Sequence, residues 1–424
     1  MIKLLHFADA HIDIARQGRH DPESGLPLRV LDFLQALDVI VDTAVAEQVD
    51  VVIFAGDAYR DRTPAPTYQR EWGKRMLRLS QAGIYTILVV GNHDLSPATG
   101  RAHALQEYET LQVPNIRVIS QPCLLKPADL NGLPLQVIGI PWVTRSGLMA
   151  SGQMDDKQAQ DVGQELEMRI EQMLQGWLEQ LDEQIAAVFT SHISIQGAVY
   201  GNERSVMLGR DLVLGASLVK DRRLDYVALG HIHKYQNLNE GKHPPVIYPG
   251  SIERVDFGEI NDQKQFVIAE IEKGQPTRLR NFELPGRRFI DRALVLERPQ
   301  DVMQQVMAAL PPQSEMKDAI VRLTISYTRA LENQIDEPTI RAYADQAFEF
   351  HLLRKPQMDA RLRLPQDQAV MHMEPLELLD LYWKSMHGDQ KENQKLIAIA
   401  GEIIQSVQLA QTEQLDLSGE NTST

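Results

Sequence analysis

Eight residues able to bind metal or move protons fall into five short clusters. The clusters are Asp9-Ala10-His11, Gly56-Asp57, Gly91-Asn92-His93-Asp94, the lone His192, and Gly230-His231-Ile232-His233. Oxygen and imidazole donors without thiolate suit manganese, iron or zinc rather than calcium alone. Asp9, His11, Asp57, Asn92, His93, His192, His231 and His233 are too many donors for one ion and about right for two, with one residue left over for catalysis. Each cluster is ordinary by itself. An aspartate at a strand end commonly caps the next helix, Gly-Asp and Gly-Asn are turn pairs, and a lone histidine such as His6 is more often a satisfied polar side chain than a ligand. Five such clusters in order, each where a strand ends, are not what turn chemistry produces.

The elements that must position them are legible as apolar runs. Strands are expected at Lys3–Ala8, Val51–Ala55, Ile84–Val90, Leu135–Ile140, Ala186–Thr190 and Tyr226–Leu229. Amphipathic helices are expected at Leu28–Glu47, Thr67–Gln81 and Asp156–Gln184. Short, nearly all-apolar strands spaced by helices imply an α/β layer architecture with a sheet covered on both faces. In such sheets ligands bind outside the carboxyl ends of the strands, where the five clusters lie. Further strands are expected at Val246–Tyr248, Gln265–Ile271 and Leu279–Glu283.

After Leu284-Pro285-Gly286 the pattern changes. Residues 286–355 read as a small α+β capping unit: strand Ala293–Leu296, helix Val302–Ala309, strand Ala319–Ser326, helix Glu337–Glu349, strand His351–Arg354. A proline-marked linker, 356–373, leads to amphipathic helices over 374–412 carrying Leu376, Leu379, Tyr382, Trp383 and Met386, then Leu396, Ile399, Ile403 and Val407. Residues 413–424 read as a polar, disordered tail. With 43% hydrophobic and 24% charged residues, the 424-residue composition is globular and excludes a collagen-like fibre or a disulfide mini-protein. The single cysteine, Cys123, excludes an internal disulfide or a cysteine-built zinc site. No apolar run is long enough to span a membrane, and the N-terminus has no signal-like segment, so a cytoplasmic location is expected. The net charge of −15 argues, taken alone, against a nucleic-acid partner. Within the capping unit, however, ten basic residues balance ten acidic ones.

The order D-x-H, G-D, G-N-H-D, lone H, G-H-x-H resembles the calcineurin-like metallophosphoesterase superfamily over most of residues 1–285. The resemblance implies a four-layer α/β/β/α sandwich and two-metal phosphoester hydrolysis, with manganese as the expected ion and magnesium as the alternative. Carried over by position, it implies one metal held by Asp9, His11, Asp57 and His233. Asp57 would bridge to a second held by Asn92, His192 and His231. His93 would stand beside the leaving oxygen as general acid or charge stabiliser.

Within the superfamily, protein Ser/Thr phosphatases are a poorer match: they carry G-N-H-E where this chain has Asp94, and an aspartate where it has Arg60. The chain more closely resembles the SbcD-type DNA double-strand-break repair nucleases. The opening Leu5-His6-Phe7-Ala8-Asp9-Ala10-His11-Ile12-Asp13 and the segment from Ile247 to Glu259 carry that resemblance over residues 1–260. It implies 3'-5' exonuclease action on duplex ends and endonuclease action on single strands or hairpins. It also implies homodimerisation near residues 65–82 and 98–111, and C-terminal helices that dock on an SbcC-like SMC-type ATPase. One departure stands at position 60, where the family commonly has His or Asp supporting the catalytic histidine. Arg60 cannot accept a hydrogen bond through its side chain; its guanidinium could grip a phosphate, with Asp61 one step late as a substitute support. Arg16, Arg19, Arg145, Arg204 and Arg210 are further candidates for contact with a DNA backbone. Two rivals stay open: a phosphodiesterase or nucleotidase acting on a small substrate, and a catalytically weak scaffold that binds DNA or the ATPase.

Overall fold

Two six-stranded sheets carry the five clusters in a computed structural model of the chain, which describes residues 1–13, 19–96, 101–143, 159–201, 212–296, 299–357, 374–385 and 395–404. The first sheet runs β14 (Arg278–Glu283), β13 (Gln265–Ile271), β1 (Ile2–Phe7), β2 (Val51–Phe54), β3 (Tyr85–Val89), β4 (Ile116–Ile119). From β1 to β4 the strands are parallel; β13 and β14 add antiparallel strands at one edge. The second sheet runs β11 (Gln236–Asn237), β12 (Val246–Tyr248), β10 (Tyr226–Gly230), β7 (Ala186–His192), β6 (Leu135–Ile140), β5 (Cys123–Leu125). Its central four strands are parallel and its two edges antiparallel. A short parallel pair, β8 (Ser194–Ile195) and β9 (Val213–Leu214), lies apart.

Side-chain alternation along the strands divides the core into three layers of apolar contact. Leu5, Phe7, Val52 and Phe54 face helices α1 (Leu28–Ala46) and α2 (Pro66–Gln81), where Phe33, Leu37, Trp72 and Met76 are buried. Leu4, Val51, Ile53 and Ile87 face the second sheet's Val137, Val188 and Ala228. The outer face of that sheet, with Ile138, Phe189 and Leu229, packs on Leu166, Ile170 and Leu174 of helix α4 (Ala159–Leu178), the short α3 being Gln106–Leu111. These layers make the four-layer α/β/β/α sandwich. Strand spacing implied a sheet covered on both faces, and each sheet is so covered, by helices on one face and by the other sheet on its second. His6 is a core residue, as expected. Burial pushes it down to about 3, against a backbone hydrogen bond at Leu229 that raises it, and its Nδ1 lies 3.0 Å from the Tyr226 hydroxyl in the opposite sheet.

Two expected helices are shorter than the sequence pattern. Helix α4 ends at Leu178 rather than reaching Gln184, because the buried Gln136 amide captures the following loop: its Nε2 donates to Asp182 O and its Oε1 accepts from Asp182 N. The start of that expectation, 156–158, lies outside the described residues. The helix expected over Glu337–Glu349 stops at Tyr343. Phe348 N bonds instead to Ala319 O, 2.9 Å away, and the chain enters a strand.

By internal contacts the chain divides into two units. One comprises Met1–Ala293, Ala308–Thr324 and Glu337–Leu353; the other comprises Leu294–Met307, Ile325–Asp336 and Arg354–Thr424. Strands β15 (Phe289–Leu296), β16 (Ile320–Thr328) and β17 (Glu349–Gln357) form a three-stranded sheet in that order, with helices between them in sequence. Within the first unit, Arg287 forms paired hydrogen bonds to Asp32 of α1 and stacks over Phe348, its guanidinium carbon 3.5 Å from the ring centroid. In the second unit, Pro375–Ser385 and 395–404 are helical, and Leu396, Ile399 and Ile403 are exposed. Met386, Val407, most of the 356–373 linker and the 413–424 tail lie outside the described residues, as do the side chains of Tyr382 and Trp383. No helix among the described residues is long and apolar enough to cross a membrane.

Candidate metal centre

All five clusters sit at the carboxyl ends of parallel strands: Asp9 and His11 after β1, Asp57 after β2, Asn92 and His93 after β3, His192 ending β7, and His231 and His233 after β10. The two sheets converge at this edge. The approach is close enough that a Cβ on Gly230 would lie 2.0 Å from the Ala55 carbonyl oxygen, so only glycine fits there. Chain reversal here forces Asp9, His11, Asp57 and His231 into the left-handed region, with φ of 52°, 41°, 64° and 95°. Each such non-glycine residue costs on the order of 1–3 kcal/mol and persists only when its surroundings over-determine it. Here they do. Asp9 N donates to Gly56 O, Ala10 N and His11 N both donate to Asp57 O, and His231 N donates to the Asp9 carboxylate.

Asp94 ties the loops together. Its buried carboxylate accepts from Asp57 N, Ala58 N and Gly91 N, each at 2.9 Å, which sets the turn that presents Asp57 beside Asn92 and His93. His93 N in turn donates to Asp57 Oδ1. Asp9 and Asp57 are both buried. Asp9, His11 and His233 bring one donor atom each to within 4.8 Å of one another, and Asp9, Asp57 and His192 do the same. Asp57 Oδ2 also lies 3.8 Å from His11 Nε2 and 3.3 Å from His192 Nε2. Asn92 Oδ1 stands 3.0 Å from His192 Nε2 and 3.2 Å from His231 Nδ1. All seven residues expected as ligands are therefore brought to one place.

The donor set fits divalent cations. Burial raises Asp9 above the usual carboxylate range, with Asp57 adding to the rise and nearby histidines opposing it. For Asp57 burial pulls the same way, but His192, His93 and His11 outweigh it and hold the carboxyl well below that range. Burial would lower His192; Asp57 beside it outweighs that and raises it to about 9. His11 and His233 face each other through their Nε2 atoms at 3.1 Å. His233 Nδ1 is already a donor to Glu259 Oε1 at 2.7 Å, so its Nε2 offers a lone pair. Buried carboxylates facing several imidazole nitrogens form a site that a cation would satisfy.

His93 stands at the rim, its ring 5.2 Å from that of His11. Its Nδ1 donates to the backbone carbonyl of Arg60 at 2.7 Å, which explains how an arginine stands where a side-chain acceptor was expected. The main chain supplies the acceptor. That carbonyl is held by Asp13, whose carboxylate accepts from Arg60 N and Asp61 N. Asp61 is not brought to His93; its carboxylate accepts from Thr63 N and Thr63 Oγ1 instead. The Arg60 side chain is exposed. Of the other arginines, Arg19 donates to the carbonyl of Ala347, and Arg16, Arg145, Arg204 and Arg210 lie outside the described residues.

Sequence reasoning missed Trp142, whose ring lies 5.0 Å from that of His231 and 6.1 Å from that of His192. It follows β6, so the strand-end rule that found the clusters reaches it too. Asp13, Glu259 and Lys264 were missed as contributors because their partners lie on other segments.

Comparison with known proteins bears on this geometry. Residues 2–235 match the sequence model of the family described as Calcineurin-like phosphoesterase. The chain is 26% identical over 285 residues to the D-type subunit of nuclease SbcCD from Bacillus subtilis, covering 65% of this chain and 67% of that protein. Its counterpart from Staphylococcus epidermidis is 26% identical over 280 residues, with the same coverage. A DNA double-strand break repair protein Mre11 of Archaeoglobus fulgidus is 24% identical over 259 residues, covering 61% of this chain and 52% of that protein.

Proposed function

Because this chain belongs to the calcineurin-like phosphoesterase family, we propose that it is a two-metal DNA nuclease, the D-type subunit of an SbcCD-like complex in DNA double-strand-break repair. One observation carries the chemistry: two donor groups share the buried Asp9, with Asp57 between the histidines of both. On this reading Asp9, His11, Asp57 and His233 hold one ion, and Asp57, Asn92, His192 and His231 the other, manganese being the expected metal and magnesium the alternative. Bound there, the ions would activate a water and neutralise charge on the scissile phosphate.

The chain's own residues do the rest. His93, oriented through Nδ1 by the Arg60 carbonyl, protonates or stabilises the leaving oxygen through its other nitrogen. The exposed Arg60 guanidinium grips a neighbouring phosphate. DNA as substrate rests on the names of the relatives. Cleavage as a 3'-5' exonuclease on duplex ends and an endonuclease on single strands or hairpins is what the resemblance to the SbcD-type nucleases implies. Exposed Leu77 on α2 and Leu111 on α3 suit a homodimer contact, and the exposed apolar positions Leu396, Ile399 and Ile403 suit docking of the C-terminal helices on an SMC-type ATPase.

The test is digestion of labelled hairpin and blunt duplex in manganese, by the chain alone and with its ATPase partner. Wild type is expected to cut, and His93→Ala to lose roughly 10²–10⁴-fold in turnover with manganese binding retained. No cleavage of either substrate by wild type would sink the nuclease reading; rapid cleavage of a small aryl diester with duplex untouched would favour the small-substrate rival.

Two variants separate the roles in the 60–61 loop. Arg60→Ala keeps the carbonyl that holds His93, so KM for DNA should rise several-fold with kcat unchanged. Asp13→Ala releases the loop, so kcat should fall roughly tenfold or more with KM little changed. Steady-state kinetics on a fluorescent hairpin reads both. Unchanged KM in Arg60→Ala removes the phosphate role, and unchanged kcat in Asp13→Ala removes the loop's.

A further inference from the structure

Lys264, immediately before β13, is 1% exposed and lies outside every cluster that could touch substrate. Its ammonium has three acceptors for its three protons: Glu259 Oε2 at 2.7 Å, Ser251 Oγ at 2.8 Å and the His233 carbonyl at 3.1 Å. Glu259 is itself buried. Its Oε1 takes the Nδ1 proton of His233 at 2.7 Å, while Oε2 also accepts from Ser251 Oγ and Val255 N. Ser251 N closes the ring by donating to the His233 carbonyl. An ammonium and a carboxylate are thus held out of water, fully hydrogen-bonded, around one imidazole.

A buried ion pair is a weak source of net stability, since desolvation offsets most of its attraction. Its placement points elsewhere. We propose that Glu259 and Lys264 are positioning residues that set the metal affinity of the centre through His233. Glu259 fixes the ring's tautomer and plane, so that Nε2 meets His11 and Asp9 with a lone pair. Its negative charge makes that lone pair a better donor. Lys264 clamps both ends of the unit, grasping Glu259 and the His233 backbone together. Neither residue would contact an ion, substrate or water of the reaction.

The inference rests on the metal centre described above, and manganese binding by the full-length chain tests the two separately. Isothermal titration of the metal-stripped protein with manganese, beside the unfolding midpoint without metal, is the measurement. Glu259→Gln keeps the shape and loses the charge. It should weaken manganese binding roughly 10–100-fold, the range for losing an outer partner of a ligating histidine, while the metal-free protein keeps its circular dichroism. Lys264→Met should weaken it in the same direction, and Ser251→Ala, which removes hydrogen bonds but no charge, should have the smallest effect. Folded Glu259→Gln that binds manganese as wild type does would overturn the proposal, as would a midpoint that falls with affinity unchanged. Wild-type protein that binds no manganese would overturn the metal centre itself. If Lys264→Met fails to fold, Glu259→Gln and Ser251→Ala decide the matter.

Discussion

Asp57→Asn is expected to bring manganese-dependent cleavage down to background. Asp57 is the carboxylate on which the two halves of the site converge: Oδ1 accepts from His93 N, and Oδ2 faces His192 and His11. An amide keeps the shape but halves the acceptors and removes the charge, and its NH₂ must point at either a backbone donor or an imidazole nitrogen. The loss in manganese affinity should reach at least about 100-fold, the upper end of what an outer partner costs. Titration calorimetry and a hairpin digestion check it. Retention of cleavage within tenfold of wild type would remove Asp57 from the ligand set.

The second large effect comes from a single methyl. Gly230→Ala would place its Cβ 2.0 Å from Ala55 O and 2.9 Å from His192 Nδ1. One contact is backbone, and the other is the atom through which His192 donates to Ala55 O at 2.7 Å. Neither can yield without parting the ends of β2 and β10, so both stability and the centre should suffer. Overpacking a tight interior costs about 1–3 kcal/mol, occasionally more, and this variant should lie at or beyond the top of that range and lose manganese binding. Gly176→Ala is the contrast. In α4, with nothing within 4 Å of the added methyl, it should stabilise by roughly 0.8–1 kcal/mol. Urea unfolding of both variants, read by circular dichroism, checks the pair. Similar midpoints would mean that the sheet ends are not pressed together as described.

Much of this was legible beforehand because it is local. Apolar runs of four to seven residues bounded by Gly, Asp and Asn mark β1, β2, β3, β7 and β10 to within a residue or two. A cluster that follows its strand directly inherits the strand's position. The short edge strands β4 and β5 were not legible: Ile116–Ile119 and Cys123–Leu125, four and three residues long, are too brief to show a period. The six residues after Leu178 and the six after Tyr343 read as continuations of their helices. They are not helix because Gln136 and Ala319, both distant in sequence, take their backbone groups. Position 60 is the clearest case. Its side chain cannot accept a hydrogen bond, yet its carbonyl accepts one from His93 Nδ1, through an atom that every residue carries.

The sequence by itself determined which residues converge, since strand-end placement follows from periodicity and parallel strands bring their carboxyl ends to one edge. Periodicity did not show that there are two sheets face to face, which the family resemblance alone implied, or how closely β2 and β10 approach. Nor did it show that Asp13, Glu259, Lys264 and Trp142 support the centre. Those follow from contacts between segments up to some 220 residues apart, such as His11 with His233. A one-dimensional pattern of polar and apolar residues carries the period of an element, but not the identity of its partner. Tertiary packing chose the partners, and with them the hydrogen bonds that set each donor's orientation and charge.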